Sequence, residues 1–354
     1  EGFLLARLMR EALGSPHLDS RTAGTLPLEL HRALAEPALQ AKVSDLEFAH
    51  AVLVLEANPV EDAPILDLRL RKGVRRHGMT LLHASASDLL DQTQARELAR
   101  QLDEAGPQDG SREVVILWGE RLASGPDGAR AVEAMLELAD KLGIAETEGA
   151  GLLEIPAHAN GRGLREAGFL PNAGPGLSEP EEEGRDAQGI AHGLIEGELS
   201  CLYLLDAEPL SGVSALGGTN PAGAGEWDSA LWSQALESAT TVIAHASFLS
   251  DALSEHADIV FPAGAYPEKE GTIVHPDGRI QRLRPAARQL GQNRAEWSVI
   301  AELAGRVGLD LEVLSGAMAS QQLFEAVPRY ADLSLETIGG KGLRPHEREA
   351  AVSS

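Results

Sequence analysis

The chain has 354 residues, of which 43% are hydrophobic and 24% charged, and its formal net charge is −24 at pH 7. That length accommodates two α/β units or one large domain, and the composition is that of a soluble globular protein without a run of about eighteen apolar residues to span a membrane. The acidic balance argues against a nucleic-acid or anionic-membrane surface, because both are negative themselves; ordinary acidic solubility accounts for it.

A single cysteine, Cys201, excludes an internal disulfide framework and any cysteine-rich iron–sulfur or zinc site within the chain. At the head of the apolar run Leu202-Tyr203-Leu204-Leu205 it reads as a buried, inert thiol. The start, Glu1-Gly2-Phe3, is neither a methionine nor a signal peptide, so the chain is expected to be a fragment of something longer.

In chain order, Phe3 to Leu13 predicts an amphipathic helix with Leu4, Leu5, Leu8 and Ala12 on one face and Gly14 as its stop. Ala51 to Leu55 predicts a strand fit for a sheet covered on both faces. A basic helix from Pro64 to His77, closed by Gly78, and a strand Thr80 to Ala84 complete a βαβ unit, whose crossover makes the sheet parallel. The alternation continues with a helix Asp88 to Glu104, a strand Val114 to Gly119, a helix Asp127 to Leu142 capped by Gly143, and a strand Gly151 to Ile155. Ala159 to Gly168 holds a Gly-x-Gly whose third glycine is displaced from the dinucleotide pattern, so it reads as a loop needing positive φ.

Pro171 to Asp186 is rich in Gly, Pro and Glu and reads as an exposed linker or hinge. A helix Ala187 to Gly197 and a strand Leu202 to Leu205 follow. That strand ends in Asp206-Ala207-Glu208-Pro209, an echo of Glu56-Ala57-Asn58-Pro59, which suggests two α/β units of related design. The Gly217 to Gly225 loop lacks the Lys-Ser/Thr of a P-loop. Trp227 to Ala239 predicts a helix leading into the stretch on which the rest of the chain is organised.

That stretch runs from Thr240 to Pro285. Strands at Thr241 to Ala244 and Ala257 to Phe261 are joined by a short helix. A charged loop, Pro267 to Thr272, precedes a tight turn His275 to Gly278 between two short strands. Beyond it, Arg294 to Val307 is a helix packing through Trp297, Ile300, Ala301, Leu303 and Ala304. Ser320 to Ala326 is another, and the tail from Gly339 is read as mobile or partner-bound.

The run Ala257-Asp258-Ile259-Val260-Phe261-Pro262-Ala263-Gly264-Ala265-Tyr266-Pro267-Glu268-Lys269-Glu270-Gly271-Thr272, continuing through Gly278, Arg279 and Gln281, resembles the segment by which the molybdopterin oxidoreductase superfamily is recognised. Within the superfamily it is similar above all to the large iron–sulfur subunit of bacterial NADH:quinone oxidoreductase, complex I. The resemblance extends to Asn160 through Leu170-Pro171. It also covers Leu13 to Gly24, where catalytic members carry a cysteine or selenocysteine that binds molybdenum just after the Asp; here Asp19 is followed by Ser20, and no cysteine is present.

The resemblance implies a molybdopterin-oxidoreductase-like α/β fold: a first α/β unit over 1–170, a linker loop over 171–186, a second unit over 187–310 with the Pro267 to Pro285 hairpin, and a helical extension over 311–354. It implies that Glu268, Glu270, Gly271, Thr272, Gly278, Arg279 and Gln281 border a pterin pocket, here vestigial, where glycines admit a close backbone approach and polar groups meet ring amides. No catalytic residue, metal ligand or cofactor is expected in this chain. Iron–sulfur clusters would lie in an upstream region, and the partners would be other subunits of the complex I peripheral arm, on the cytoplasmic side of the plasma membrane, with no nucleic acid and no membrane insertion. An active molybdenum or tungsten bis-pterin enzyme of the formate dehydrogenase type is the competing implication.

His245, Ser247, Asp251, His256 and Asp258 could be written as a triad or a zinc site. They straddle strand, loop and helix without the spacing of a helical metal pair, and are assigned no catalytic role.

Overall fold

The computed structural model describes residues 1–21, 24–106, 112–125, 127–210, 228–289 and 291–345. Helix α1 (Gly2–Arg7) runs on as a π-helical turn, Leu8–Ala12, and Gly14 at φ 61° ends it, so the expected single helix changes its winding half-way. Leu4, Leu5 and Leu8 are buried, as their spacing predicts. Short helices α2 (Leu28–Leu34) and α3 (Asp45–Phe48) lead to strand β1 (Ala51–Leu55). The chain continues through α4 (Pro59–Asp62), α5 (Pro64–His77), β2 (Thr80–Ala84), α6 (Ala86–Leu90), α7 (Gln92–Glu104), β3 (Val114–Gly119), α8 (Gly128–Lys141) and β4 (Gly151–Ile155).

These strands form a four-stranded, wholly parallel sheet of order β2-β1-β3-β4. Every residue of β1 and β3 is buried because helices cover both faces. Leu53, Leu55 and Ile116 pack into a core with Leu102 and Met135, while Val52, Val54, Val115 and Leu117 pack on the other side against Leu66 and Leu70. Each such fully buried aliphatic side chain contributes roughly 1.5–3 kcal/mol relative to exposure, which is why unbroken apolar runs become central strands.

The helix expected over Asp88 to Glu104 is two helices. Asp91 Oδ1 accepts the backbone N–H groups of Thr93 and Gln94, each at 2.9 Å, and so caps α7, while a Ser85–Asp88 capping box starts α6. A short polar side chain satisfying the free N–H groups of a new first turn outcompetes continuation of the old helix.

The loop expected over Ala159 to Gly168 contains helix α9 (Gly161–Glu166). Positive φ falls on Asn160 (61°) and Gly168 (80°) rather than on Gly161 or Gly163. The stretch 171–186 is only partly the exposed linker expected. Ala173 and Leu177 pack with Leu28, Ala35 and Leu170 in a small core, and the exposed portion is Glu181-Glu182-Glu183 with its neighbours.

The second sheet follows: α10 (Ala187–Ile195), β5 (Cys201–Leu205), α11 (Ser229–Ser238), β6 (Thr241–Ala246), α12 (Asp251–His256) and β7 (Ile259–Pro262), with order β5-β6-β7, again all parallel. Gly217 to Gly225 and Trp227 lie outside the described residues. Cys201 is exposed rather than buried, since it is the first residue of β5 and precedes the covered part of the strand. Its thiol is raised by partial burial and then by the charge of Asp258.

A hairpin, β8 (Gly271–Val274) with β9 (Ile280–Leu283), stands apart from both sheets; Thr272 belongs to a strand as read, and Gly271 joins it rather than the expected loop. It rests on α14 (Gly316–Ala326), its Val274 and Ile280 joining Phe324, Val327 and Tyr330. Helix α13 (Glu296–Arg306) packs against α1 through Ile300 and Ala304, and α15 (Leu335–Ile338) closes the described fold.

Candidate functional site

A cleft of about 590 Å³ opens between α1, the segment around Asp19, the loop before α9, the end of β5 and the hairpin. Its size and mixed lining fall in the range of ligand sites, and it lies beyond the carboxyl end of a parallel strand, where α/β proteins bind.

At the cleft floor stand Asp19, Ser20 and Arg21. Asp19 accepts the backbone N–H of Arg21 at 2.9 Å and of Ala187 at 3.1 Å, yet burial pushes its carboxyl up to about 7 against those bonds. The Ser20 hydroxyl is buried, and among the described residues it has no hydrogen-bond partner. Arg21 is buried with its Nε 3.6 Å from Glu120 Oε1, too long for a hydrogen bond.

Glu120 is held by more than Arg21. Arg165 reaches it at 3.2 Å and the Ala157 N–H at 2.8 Å. Burial opposes its charge, and Arg165 and then Arg21 outweigh burial, so the carboxyl sits below its ordinary range. Arg165 also pairs with Glu154. His31, buried beside this network, is held down to about 3 by burial and then by the charges of Arg21 and Arg165.

The opposite wall is built on β5, with β6 packed behind it. The Tyr203 hydroxyl and His245 Nε2 share a hydrogen bond of 2.6 Å, and Phe261 lies on the histidine with ring centroids 5.0 Å apart. Burial, the largest effect, together with Lys269 drives His245 down to about 4, so it is neutral at pH 7. Burial also raises the Tyr203 phenol.

Lys269 enters between the two units and pairs with Asp206 at 2.9 Å, with Glu296, and more distantly with Glu1 at 3.9 Å. Burial works against the ammonium, but the three carboxylates overcome it and raise its pKa. Glu296 is pushed up to about 8 by burial and then by the charge of Glu1, with Lys269 opposing. The lysine thus bridges the end of β5 to the start of α13.

Of the residues expected to border a pterin pocket, Glu270, Gly271 and Thr272 line this cleft and the other four do not. Glu270 accepts from Arg282 at 3.1 Å. Glu268 turns away to cap its own short turn, accepting the Ala265 N–H at 2.9 Å and the Asn293 amide at 3.0 Å. Gly278 forms the hairpin turn at φ 80°. The backbone N–H of Arg279 donates to Asp277 at 3.1 Å, and Gln281 pairs with Ile273 across the hairpin.

The histidine group does not assemble. Asp258 accepts the Val242 N–H at 2.8 Å, Asp251 starts α12, and His245 is buried behind Tyr203 rather than lining the cleft. Among the described residues no group of three or more His, Cys, Asp or Glu could hold a metal. Sequence reasoning missed Arg21, Tyr203 and Lys269. The available signal for Lys269 was its place as the lone cation among Glu268 and Glu270.

The competing implication of the resemblance is a molybdenum–pterin group, and the floor of the cleft tests the fit of its metal. The donor there is a serine hydroxyl, with no thiolate and with a buried guanidinium as the next residue. Ser20 offers one oxygen and no thiolate, and the charge of Arg21 beside it is offset by Glu120, so the floor lacks the thiolate donor of the catalytic relatives.

Comparison with known proteins locates the chain. The family profile described as Molybdopterin oxidoreductase matches residues 4–306. The G subunit of the NADH-quinone oxidoreductase of Mycobacterium bovis is 28% identical over 91% of this chain and 42% of its own length. The alpha subunit of the NADPH-Fe(3+) oxidoreductase of Geobacter sulfurreducens is 27% identical over 78% of this chain and 33% of its own length. A putative formate dehydrogenase of Bacillus subtilis is 22% identical over 96% of this chain and 42% of its own length. The chain thus spans less than half the length of these relatives.

Proposed function

The chain belongs to the molybdopterin oxidoreductase family, and from that premise we propose that it is a structural, non-catalytic region of the large subunit of an NADH:quinone oxidoreductase. Its share in the reaction is support: it docks other subunits of the complex beside iron–sulfur clusters held outside this chain, at the cytoplasmic face of a membrane. No helix among the described residues is long and apolar enough to cross that membrane. The pterin pocket is then an inherited space, with Glu270, Gly271 and Thr272 as its remaining wall, Gly278, Arg279 and Gln281 in the hairpin, and Glu268 capping the turn before it.

The observation that carries this reading is Ser20 at the cleft floor in the place of a thiolate, with the buried Arg21 next to it turned to Glu120. The likeness to the G subunit of an NADH-quinone oxidoreductase adds to it. A second reading, an active molybdenum or tungsten oxidoreductase of the formate dehydrogenase type, draws on the unpartnered Ser20 hydroxyl as an oxygen donor and on the likeness to a putative formate dehydrogenase.

Ser20→Ala in the full-length protein, purified in its native assembly, separates the two. NADH:quinone turnover within about twofold of the parent is expected, whereas loss of the assembly's oxidoreductase activity by about tenfold or more would contradict a structural role.

A further inference from the structure

Helix α5 carries a charge opposite to that of the chain around it. Arg69, Arg71, Lys72, Arg75 and Arg76 stand against the single carboxylate Asp67 in a helix of 14 residues, in a protein of net charge −24. Leu66, Leu70 and Gly73 face the sheet, which turns Ile65, Leu68, Lys72, Arg75 and Arg76 to the outside. Ile65 is 67% exposed and Leu68 61% exposed, a pair one helical turn apart.

The fold absorbs only part of this charge. Buried Glu47, on α3 beneath the helix, pairs with Arg69 at 3.5 Å, Lys72 at 2.5 Å and His77 at 3.9 Å, and Asp67 pairs with Arg71 at 2.6 Å. Arg75 and Arg76 form no ion pair among the described residues. Basic side chains in a last turn favour the helix dipole, but that does not account for two exposed aliphatic residues on the same face.

We propose that this face of α5 is a docking surface for a segment of another protein that carries apolar anchors followed by a run of carboxylates. The anchors would cover Ile65 and Leu68, and the acidic run would lie along Lys72, Arg75 and Arg76. Charge complementarity selects this occupant over the other polyanions. A membrane or a nucleic-acid duplex extends well past the patch and meets the negative field of the whole chain, whereas a short segment within about 8 Å, one screening length at physiological salt, feels chiefly the helix. This surface stands apart from the cleft and does not depend on how the cleft is read.

A photo-cross-linking residue, p-benzoylphenylalanine, placed at Leu68 of the full-length protein in its native host tests the surface. The expected product is one dominant cross-link to a segment of another protein rich in Asp and Glu. Its yield should fall about tenfold in the double variant Arg75→Glu/Arg76→Glu and likewise in about 0.5 M salt. Arg96→Glu, an exposed charge reversal on α7, should leave the yield unchanged. Cross-links to a second copy of this chain, to lipid, to nucleic acid or to a segment without an acidic run would overturn the proposal. So would a yield indifferent to charge reversal, or no cross-link at all.

Discussion

The ends of β1 and β5 use the same backbone device for different purposes. Glu56 after β1 and Asp206 after β5 both adopt left-handed φ, 48° and 51°, each followed by an alanine, a polar residue and a proline. Non-glycine residues pay strain for that conformation and keep it only where the surroundings demand it. In the first unit the carboxylate turns inward to architecture, with Glu56 accepting the Ala86 N–H at the start of α6 at 2.8 Å. In the second, Asp206 turns toward the cleft and Lys269. The two strand ends share a backbone geometry while one serves as framework and the other as a wall of the cleft.

The contrast extends to the strands. β1 and β3 are buried throughout, whereas β5 and β7 alternate or lie half-exposed. If the first unit is framework, its buried ions should matter most. Arg165→Met would leave Glu154 uncompensated in the interior and Glu120 with only Arg21 and the Ala157 N–H, and a loss of about 3–5 kcal/mol is expected in urea unfolding. A loss below about 1 kcal/mol would show that water already reaches this network.

Asp19, at the seam between the units, should give the next largest effect and a characteristic pH dependence. The folded carboxyl keeps its proton from its ordinary 3.8 up to about 7. In that window the native state binds more protons than the unfolded chain, so stability falls as pH rises from about 4 to about 7, by up to about 4 kcal/mol. Asp19→Asn should flatten that slope in urea midpoints measured across the range; an unchanged slope would assign it elsewhere.

The acid pair itself gives the smaller effects. Glu56→Ala removes a hydrogen bond that starts a helix and is expected to lower stability by about 1 kcal/mol. Asp206→Ala removes a part-exposed partner from Lys269, which retains Glu1 and its contact with Glu296, and should change stability by less than about 0.5 kcal/mol. Equal losses at the two positions in thermal or urea unfolding would erase the distinction between framework and cleft wall.

What the sequence made legible follows from this division. Ala51 to Leu55, Thr80 to Ala84, Val114 to Gly119 and Gly151 to Ile155 are found as read, because short, mainly apolar runs alternating with helices have few other places in an α/β fold. The helix break at Asp91 was hidden, since one side chain accepting two N–H groups leaves no trace in periodicity. The packing of Ala173 and Leu177 was hidden too, behind a Gly/Pro-rich composition that ordinarily marks a free loop. At the site, Glu270 to Thr272 were reached through the resemblance. The Lys269–Asp206–Glu296 cluster joins residues far apart in the chain, and no local pattern announces such a meeting.

The central claim is that the cleft is an inherited space and not a working metal site. Molybdenum, tungsten and pterin content of the full-length protein, purified in its native assembly, tests it most directly. The account predicts none of the three, with NADH:quinone activity in the same preparation; near-stoichiometric metal with pterin would contradict it and make the wall at Glu270 to Thr272 part of a functioning cofactor site.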